Sequence, residues 1–190
     1  YTHPDVVHAV TRHVVDFHLE ANRRFFAAAG DLVDAYFFGN DFGTQRGLLI
    51  GRDLMAQFVF PYFRQLTDLA HRSGYKVILH SCGSIYDVIP DLIDMGVDAL
   101  HPLQARAVNM EAERLGAQFR GSLAFIGGID TQDLLVNAGP GAVADDVRRV
   151  RSHLGPRLVV SPSHEAVLPN VPPQNLVAMA QAAREPTARR

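Results

Sequence analysis

The stretch Lys76-Val77-Ile78-Leu79-His80-Ser81-Cys82-Gly83 decides the fold, because a short apolar run passes directly into polar residues. Three consecutive apolar residues without polar alternation predict a strand that is buried on both faces, as in a parallel sheet. Residues 53–73 before this strand and 85–95 after it have the spacing of apolar residues typical of helices. A buried strand between two helices predicts the α/β class.

The same alternation continues in both directions from this strand. Further strands are predicted near 35–38, 97–100, 122–125 and 157–160, and further helices at 4–29, 108–116, 131–137, 141–154 and 173–184. Strictly alternating strands and helices predict parallel neighbours in chain order. Two architectures fit this pattern, an open doubly wound sheet and the C-terminal portion of a (β/α)8 TIM barrel.

A whole barrel is excluded on length, since it needs eight strands and typically about 250 residues. The chain has 190 residues and five predicted strands. The sheet is therefore expected to stay open within one chain. Its edges would then need cover, either from helix 4–29 or from a partner chain in a homo-oligomer.

Composition narrows the class of protein. Residues 1–190 are 47% hydrophobic and 20% charged, which predicts one domain with a real core. A net charge of −2 without a basic patch argues against nucleic-acid binding. Cys82 is the only cysteine, so an intrachain disulfide is excluded. No apolar run predicts a membrane span, and no signal peptide is recognised, so a cytoplasmic location is expected.

Metal-capable side chains follow the predicted strands, at the edge of a parallel sheet where ligands bind. His80 and Cys82 are two positions apart in an extended segment and so face the same side. An imidazole and a thiolate so placed are able to bind one zinc ion. His164, after the last strand, is the predicted third ligand. The alternative is a buried thiol beside a hydrogen-bonded histidine, with His164 an ordinary loop residue.

Three carboxylates also lie at strand ends. Asp41, Asp130 and Glu165 are the predicted catalytic carboxylates. Asp41 and Asp130 would orient ligands or act as bases, and the fourth metal position is expected to be open or held by water, Glu165 or Asp41. Turn and helix-cap chemistry is the alternative for Asp41 and Asp130, because each lies in a turn-like or cap-like sequence. His101 also ends a predicted strand, and its role stays open.

At these residues the chain resembles the uroporphyrinogen decarboxylase superfamily. The matching segments are Gly39-Asn40-Asp41-Phe42-Gly43-Thr44-Gln45, His80-Ser81-Cys82-Gly83, Pro90-Asp91-Leu92-Ile93, Gly127-Gly128-Ile129-Asp130-Thr131-Gln132, Pro162-Ser163-His164 and Val171-Pro172-Pro173-Gln174-Asn175. The resemblance implies a (β/α)8 barrel of which this chain is the C-terminal part, with the first strands of the family fold absent.

The resemblance also implies two alternative activities. One branch removes carboxyl groups from a porphyrinogen without a metal. The other contains cobalamin-dependent methyltransferases, which bind zinc through an H-x-C pair and a distant cysteine. His80 and Cys82 match that pair, and His164 stands near the place of the cysteine that this chain lacks.

The favoured hypothesis is a zinc-dependent methyltransferase-like enzyme. It would move a methyl group between a methyl-corrinoid and a thiol or similar small-molecule acceptor. Gln45 and Gln104 are predicted to bind the substrate, and a corrinoid protein is a predicted partner. A metal-free decarboxylase and a non-catalytic fragment are the alternatives. Ile126 departs from the histidine that relatives often have before Gly-Gly-Ile-Asp.

Overall fold

The computed structural model describes residues 2–186, so Tyr1 and residues 187–190 of the predicted domain lie outside it. The five strands are β1 (Ala35–Gly39), β2 (Lys76–His80), β3 (Ala99–Leu103), β4 (Ala124–Ile129) and β5 (Leu158–Pro162). The helices are α1 (Pro4–Ala29), α2 (Arg52–Phe58), α3 (Phe60–Arg72), α4 (Ile89–Asp94), α5 (Ala112–Phe119), α6 (Leu134–Asn137), α7 (Pro140–Leu154) and α8 (Pro173–Ala183). Short 3-10 turns cover Gly30–Leu32 and Tyr86–Val88.

The strands form one open parallel sheet in the order β1-β2-β3-β4-β5. This confirms the predicted strand order and direction. In the described residues β1 and β5 are the two edges of the sheet, which does not close. A (β/α)8 barrel has parallel strands in chain order, with a helical connection after each strand. The observed sheet has the same arrangement, so it corresponds to part of such a barrel and not to a doubly wound sheet.

Four of the five strands end later than predicted, and the third and fourth differ most. The third was expected at 97–100 but is Ala99–Leu103, and the fourth was expected at 122–125 but is Ala124–Ile129. Pro102 and Gly127 weaken a strand, since proline lacks an N–H and glycine loses most entropy on ordering. Both segments nevertheless pair with their neighbouring strands. The pairing of β3 with β4 shifts register between Leu100 and Leu103, where Pro102 has no N–H to donate.

The predicted helix at 53–73 is two helices. It breaks at Val59, because Pro61 follows in the first turn of α3 and removes a backbone donor that a continuous helix would need. Two more helices start later than predicted. The segment 108–116 becomes helical only at Ala112, and the segment 131–137 only at Leu134, after a turn built on Asp130.

At β1 and β2, one face of the sheet is packed against helices and the other face is more exposed. Val77 and Leu79 of β2 are fully buried beneath the helices. The side chains that alternate with them in the sheet, including Phe37 and His80, lie on the opposite face, and Phe37 is 53% exposed. Alternation along these strands therefore sends one set of side chains into the core and the other set to this second face.

Helix α1 packs beside β1 but leaves much of its own apolar surface uncovered. Phe26 packs edge-on against Tyr36 of β1, and Val15 is buried against α3. The residues whose spacing predicted this helix face outward: Val6, Val7, Val10, Val14 and Phe17 are 40–68% exposed. An apolar groove of about 630 Å³ is bordered by α1, β1 and α3, and Val10 and Val14 line part of it. Edge protection by α1 or by a partner chain stays a prediction, as does the single domain of residues 1–190.

None of the helices in the described residues is both long and apolar enough to cross a membrane.

Candidate metal centre

The loop after β2 is held by four consecutive backbone N–H groups. Ser81 donates to the carbonyl of His101, and Cys82 donates to Asp41 Oδ1 at 2.8 Å. The next two N–H groups, of residues 83 and 84, donate to Gln104 Oε1 at 3.0 Å and to the carbonyl of residue 44 at 2.7 Å. A loop whose every amide is bonded to a neighbouring strand end has little freedom to move. Cys82 is therefore presented from a rigid backbone.

Close backbone packing brings the loops after β1 and β2 together. A Cβ built on Gly83 would lie 2.5 Å from the carbonyl carbon of Gly43, and Gly83 has a φ of +86°. Both the approach and the left-handed backbone require glycine here. Gly39 allows a second approach, because a Cβ there would lie 2.9 Å from Cβ of His80. These glycines let the Asp41 loop lie against the His80–Cys82 segment.

His80 lies between two different partners. Its Nε2 is 3.7 Å from Sγ of Cys82 and 3.5 Å from Oδ1 of Asp41. Its Nδ1 is 3.1 Å from Nδ1 of His101 on the neighbouring strand. The donor atoms of Asp41, His80 and Cys82 all lie within 4.8 Å of one another.

Cys82 belongs to two clusters at once. Its Sγ also lies within 4.8 Å of donor atoms of His164 and Glu165. Cys82 from the end of β2 thus lies near the segment after β5, whereas the predicted convergence of His80, Cys82 and His164 in one cluster is only partly seen. His80 and His164 do not fall in one cluster with each other, so Cys82 is the link between the two halves.

The environment of Cys82 disfavours its thiolate. Burial is the first cause, and the nearby carboxylates of Asp41 and Glu165 add to it, which together raise the pKa of the Cys82 thiol to about 11. A metal-free Cys82 is therefore a thiol at neutral pH. Its deprotonation needs a cation close to the sulfur.

His164 and Glu165 lie on a looser segment. His164 Nδ1 accepts a 3.2 Å hydrogen bond from the N–H of Ala166 and is 3.7 Å from the Glu165 carboxylate. The side chains of His164 and Glu165 are 43% and 53% exposed. When Nδ1 of a neutral imidazole accepts, Nε2 carries the hydrogen. Ligation by His164 therefore requires this local bond to rearrange.

Asp130 lies outside both clusters. Its two carboxylate oxygens accept hydrogen bonds from the N–H groups of Gln132 and Leu134, at 2.8 and 3.2 Å. Arg106 approaches the same carboxylate at 3.6 Å. This is the turn and helix-start geometry that the sequence offered as the alternative to catalysis. The catalytic role of Asp130 stays a prediction.

The side chains of Gln45 and Gln104 are hydrogen-bonded to each other. Gln45 Nε2 donates to Gln104 Oε1 at 2.8 Å, and the same oxygen accepts from Gly83. Gln104 also borders a cavity of about 420 Å³ beside His164. The cavity is lined by Gln104, Thr131, Gln132, Val136, Ser163, His164, Ala166, Leu168 and Asn170. Gln104 thus contacts both the Cys82 loop and a space large enough for a small molecule, whereas Gln45 holds Gln104 in place.

His101 is the residue whose position the sequence left open. The third strand was predicted at 97–100 with His101 at its end, and the observed strand continues through His101 to Leu103. The register pairs His80 with His101 across β2 and β3. Burial, and then the neighbouring His80, lower the pKa of His101. The only signal in the sequence was a histidine directly before Pro102 at the end of an apolar run.

Comparison with known proteins agrees with this architecture. No curated protein sequence matches the chain. Among solved structures, a methyltransferase from Methanosarcina mazei superposes with a TM-score of 0.63 at 16% sequence identity, covering 80% of this chain and 42% of that one. The chain thus spans less than half the length of that structure. At this identity the likeness shows the fold. The family model for uroporphyrinogen decarboxylase matches residues 1–186, so the chain belongs to the uroporphyrinogen decarboxylase family.

Proposed function

We propose that this protein is a zinc-dependent methyltransferase-like enzyme of its family, moving a methyl group between a methyl-corrinoid and a thiol or similar acceptor. One observation carries the proposal. The imidazole of His80 and the carboxylate of Asp41 meet the sulfur of Cys82, which is also shared with His164 and Glu165. The methyltransferase fold of the neighbour from Methanosarcina mazei supports the choice of branch.

The donor atoms fit a zinc ion. Bonds of about 2.0–2.3 Å in a tetrahedron separate neighbouring donors by roughly 3.3–3.8 Å. The observed separations from Nε2 of His80 are 3.7 Å to the sulfur of Cys82 and 3.5 Å to the carboxylate of Asp41. A sulfur, a nitrogen and oxygens are the donors that zinc takes in proteins. His80 and Cys82 are the proposed core ligands. His164 is the proposed third, and it would have to move toward His80 to join them, because its donor atom clusters with Cys82 and not with His80.

When bound, zinc would supply the positive charge that lowers the pKa of a coordinated thiol into the neutral range. The chain's own residues do the rest. His80 and Cys82 hold their donor atoms on a rigid strand end. Asp41 and Glu165, both about half exposed, are placed to accept the proton that an acceptor thiol loses. The methyl group then forms a bond to the acceptor sulfur, and the electron pair of the broken cobalt–carbon bond stays with the corrinoid.

The cavity of about 420 Å³ beside His164 is the proposed acceptor site. Its lining combines amide, hydroxyl and imidazole groups with three apolar side chains, which suits a small molecule that has both polar and apolar parts. Gln104 has its carbonyl oxygen occupied by Gly83 and Gln45. Its amide group also reaches the sulfur of Cys82, which leaves a second amide hydrogen to donate to the acceptor. The exposed face of the sheet that carries Phe37 is the proposed side of approach for the corrinoid and any corrinoid protein. A cytoplasmic location is part of the same proposal.

Metal analysis of the purified protein tests the proposal. We expect one zinc per chain, and we expect Cys82→Ala to lose it. His13→Ala is the matched control, because His13 is an exposed histidine on α1 outside both clusters. A wild-type protein that takes up no zinc from a metal buffer would contradict the proposal. Transfer of the methyl group of methylcobalamin to a small thiol is the second assay.

A metal-free decarboxylase is the second candidate, favoured by the description of the family model. The metal content of the protein and the product of the reaction distinguish the two functions. A protein that stays metal-free and releases carbon dioxide from a porphyrinogen would establish the decarboxylase. Zinc lost together with methyl transfer in Cys82→Ala would exclude it as the main activity.

A further inference from the structure

His80 and His101 face each other across two neighbouring strands. Their Nδ1 atoms are 3.1 Å apart, and the strand register places the two residues side by side. Two nitrogens at this distance form a hydrogen bond only if one ring donates and the other accepts. The tautomer of one ring therefore fixes which nitrogen of the other ring carries the hydrogen.

The other nitrogen of His80 decides which ring donates. Its Nε2 lies 3.7 Å from Sγ of Cys82, on the side of the candidate metal centre. A histidine that binds a metal through Nε2 must carry its hydrogen on Nδ1. Nδ1 of His101 is then the acceptor, and the hydrogen of the neutral His101 ring sits on its Nε2.

We infer that His101 is a positioning residue for the metal centre: it accepts the Nδ1 hydrogen of His80 and so keeps Nε2 of His80 free to ligate. This inference rests on the proposed zinc site. In metal sites such an outer partner orients the ligand ring and raises its basicity. Carboxylates and backbone carbonyls are the usual partners, and here a second imidazole on β3 takes that place.

Packing is the alternative explanation for the pair. Phe37 of β1 contacts both rings edge-on, at 5.2 Å from His101 and 6.3 Å from His80 between ring centroids. If the arrangement only fills space, Phe37 should matter as much as His101. If the hydrogen bond matters, removing the acceptor at His101 should have an effect that a change at Phe37 does not.

Three variants separate the two explanations. His101→Phe keeps an aromatic ring and removes the acceptor, whereas His101→Asn offers a carbonyl oxygen as a replacement acceptor. Phe37→Leu changes the packing and leaves the pair intact. Zinc affinity is measured for each by competition with a chromophoric chelator. Nitrogen-15 spectra of the zinc-loaded wild type report which nitrogen of His80 carries the hydrogen.

We expect His101→Phe to weaken zinc binding by roughly 10–100-fold, the range seen when an outer partner is lost. We expect His101→Asn to lie between it and the wild type, and Phe37→Leu to match the wild type. His80 should carry its hydrogen on Nδ1.

Unchanged affinity in His101→Phe would overturn the inference and leave the zinc site standing. Equal losses in His101→Phe and Phe37→Leu, without recovery in His101→Asn, would also overturn it, in favour of packing. A hydrogen on Nε2 of His80 in the loaded protein would do the same. A wild type that binds no zinc would overturn the proposed function and this inference with it.

Discussion

The two halves of the candidate centre differ in how firmly the chain holds them. After β2, the N–H groups of residues 81–84 all donate hydrogen bonds to neighbouring strand ends. After β5, the N–H groups of His164 and Glu165 have no hydrogen-bond partner within the described part of the chain, and both side chains are about half exposed. Preorganised ligands belong on rigid elements. The comparison places His80 and Cys82 on the more firmly held half and His164 on the less firmly held half of the proposed site.

The largest expected effect is a loss of zinc affinity, compared between one variant in each half of the candidate centre. Structural zinc is bound with roughly 10–16 kcal/mol over four ligands, so losing one well-placed ligand costs on the order of 100-fold or more in affinity. We expect Cys82→Ala to weaken zinc binding by at least about 100-fold, because its sulfur belongs to both clusters. His164→Ala should cost only about 10-fold, because His164 must first break its bond to Ala166. A chelator competition assay measures both, and equal losses would remove the distinction between the halves.

The protonation of Cys82 gives the second test. Its raised pKa of about 11 means that the metal-free thiol is protonated at pH 7–9 and loses its proton only as the pH approaches that value. Alkylation by iodoacetamide should therefore be slow at pH 8 and rise toward pH 11. Because Cys82 is the only cysteine, modification is read directly by mass spectrometry.

Variants of the two carboxylates sharpen this test. A negative charge near a thiol disfavours the thiolate, so Asp41→Asn and Glu165→Gln should each lower the pKa of Cys82. Asp41 stands ahead of Glu165 among the causes of the shift, so its variant should have the larger effect. A midpoint near pH 9 in the wild type would contradict the description of the site.

The close contact between Gly83 and Gly43, in the loop after β2, predicts a smaller effect, on the free energy of unfolding. In Gly83→Ala, the new Cβ would lie 2.5 Å from backbone at Gly43 and the residue would keep a positive φ. We expect a loss of about 1–3 kcal/mol in the free energy of unfolding. Gly141→Ala is the control, because nothing lies within 4 Å of its Cβ and alanine favours the helix α7. Urea denaturation checks both, and equal stabilities would show that the contact tolerates a methyl group.

Hydrogen exchange tests the comparison without any substitution. Local opening needs little free energy where backbone N–H groups lack partners. We expect the amides of residues 81–84 to exchange slowly and those of His164 and Glu165 to exchange within the dead time of the experiment. Slow exchange after β5 would show that the segment is as rigid as the loop after β2, and the predicted difference between Cys82→Ala and His164→Ala would then disappear.

Part of the candidate metal centre was predictable from the sequence, because strand ends in a parallel sheet share one edge. The i, i+2 spacing of His80 and Cys82 and the position of His164 after the last strand predicted one cluster. The structure brings Cys82 near each histidine but places His80 and His164 in two different clusters. Asp130 was predicted to orient ligands or to act as a base, and that role stays a prediction. Both its oxygens accept backbone hydrogen bonds, as the alternative cap interpretation expects, and a cap and a catalytic carboxylate have the same sequence signature.

The sequence by itself determined the alternation of strands and helices, their parallel order and the family. Apolar periodicity and the residues after each strand carry that information locally. Only the tertiary structure decided that β3 continues through His101 and that His101 faces His80, because register depends on packing between strands that are distant in sequence. It also decided that the apolar stripe of α1 faces outward and that Cys82 joins the two clusters, since burial and side-chain distance are properties of the assembled sheet and not of any one segment.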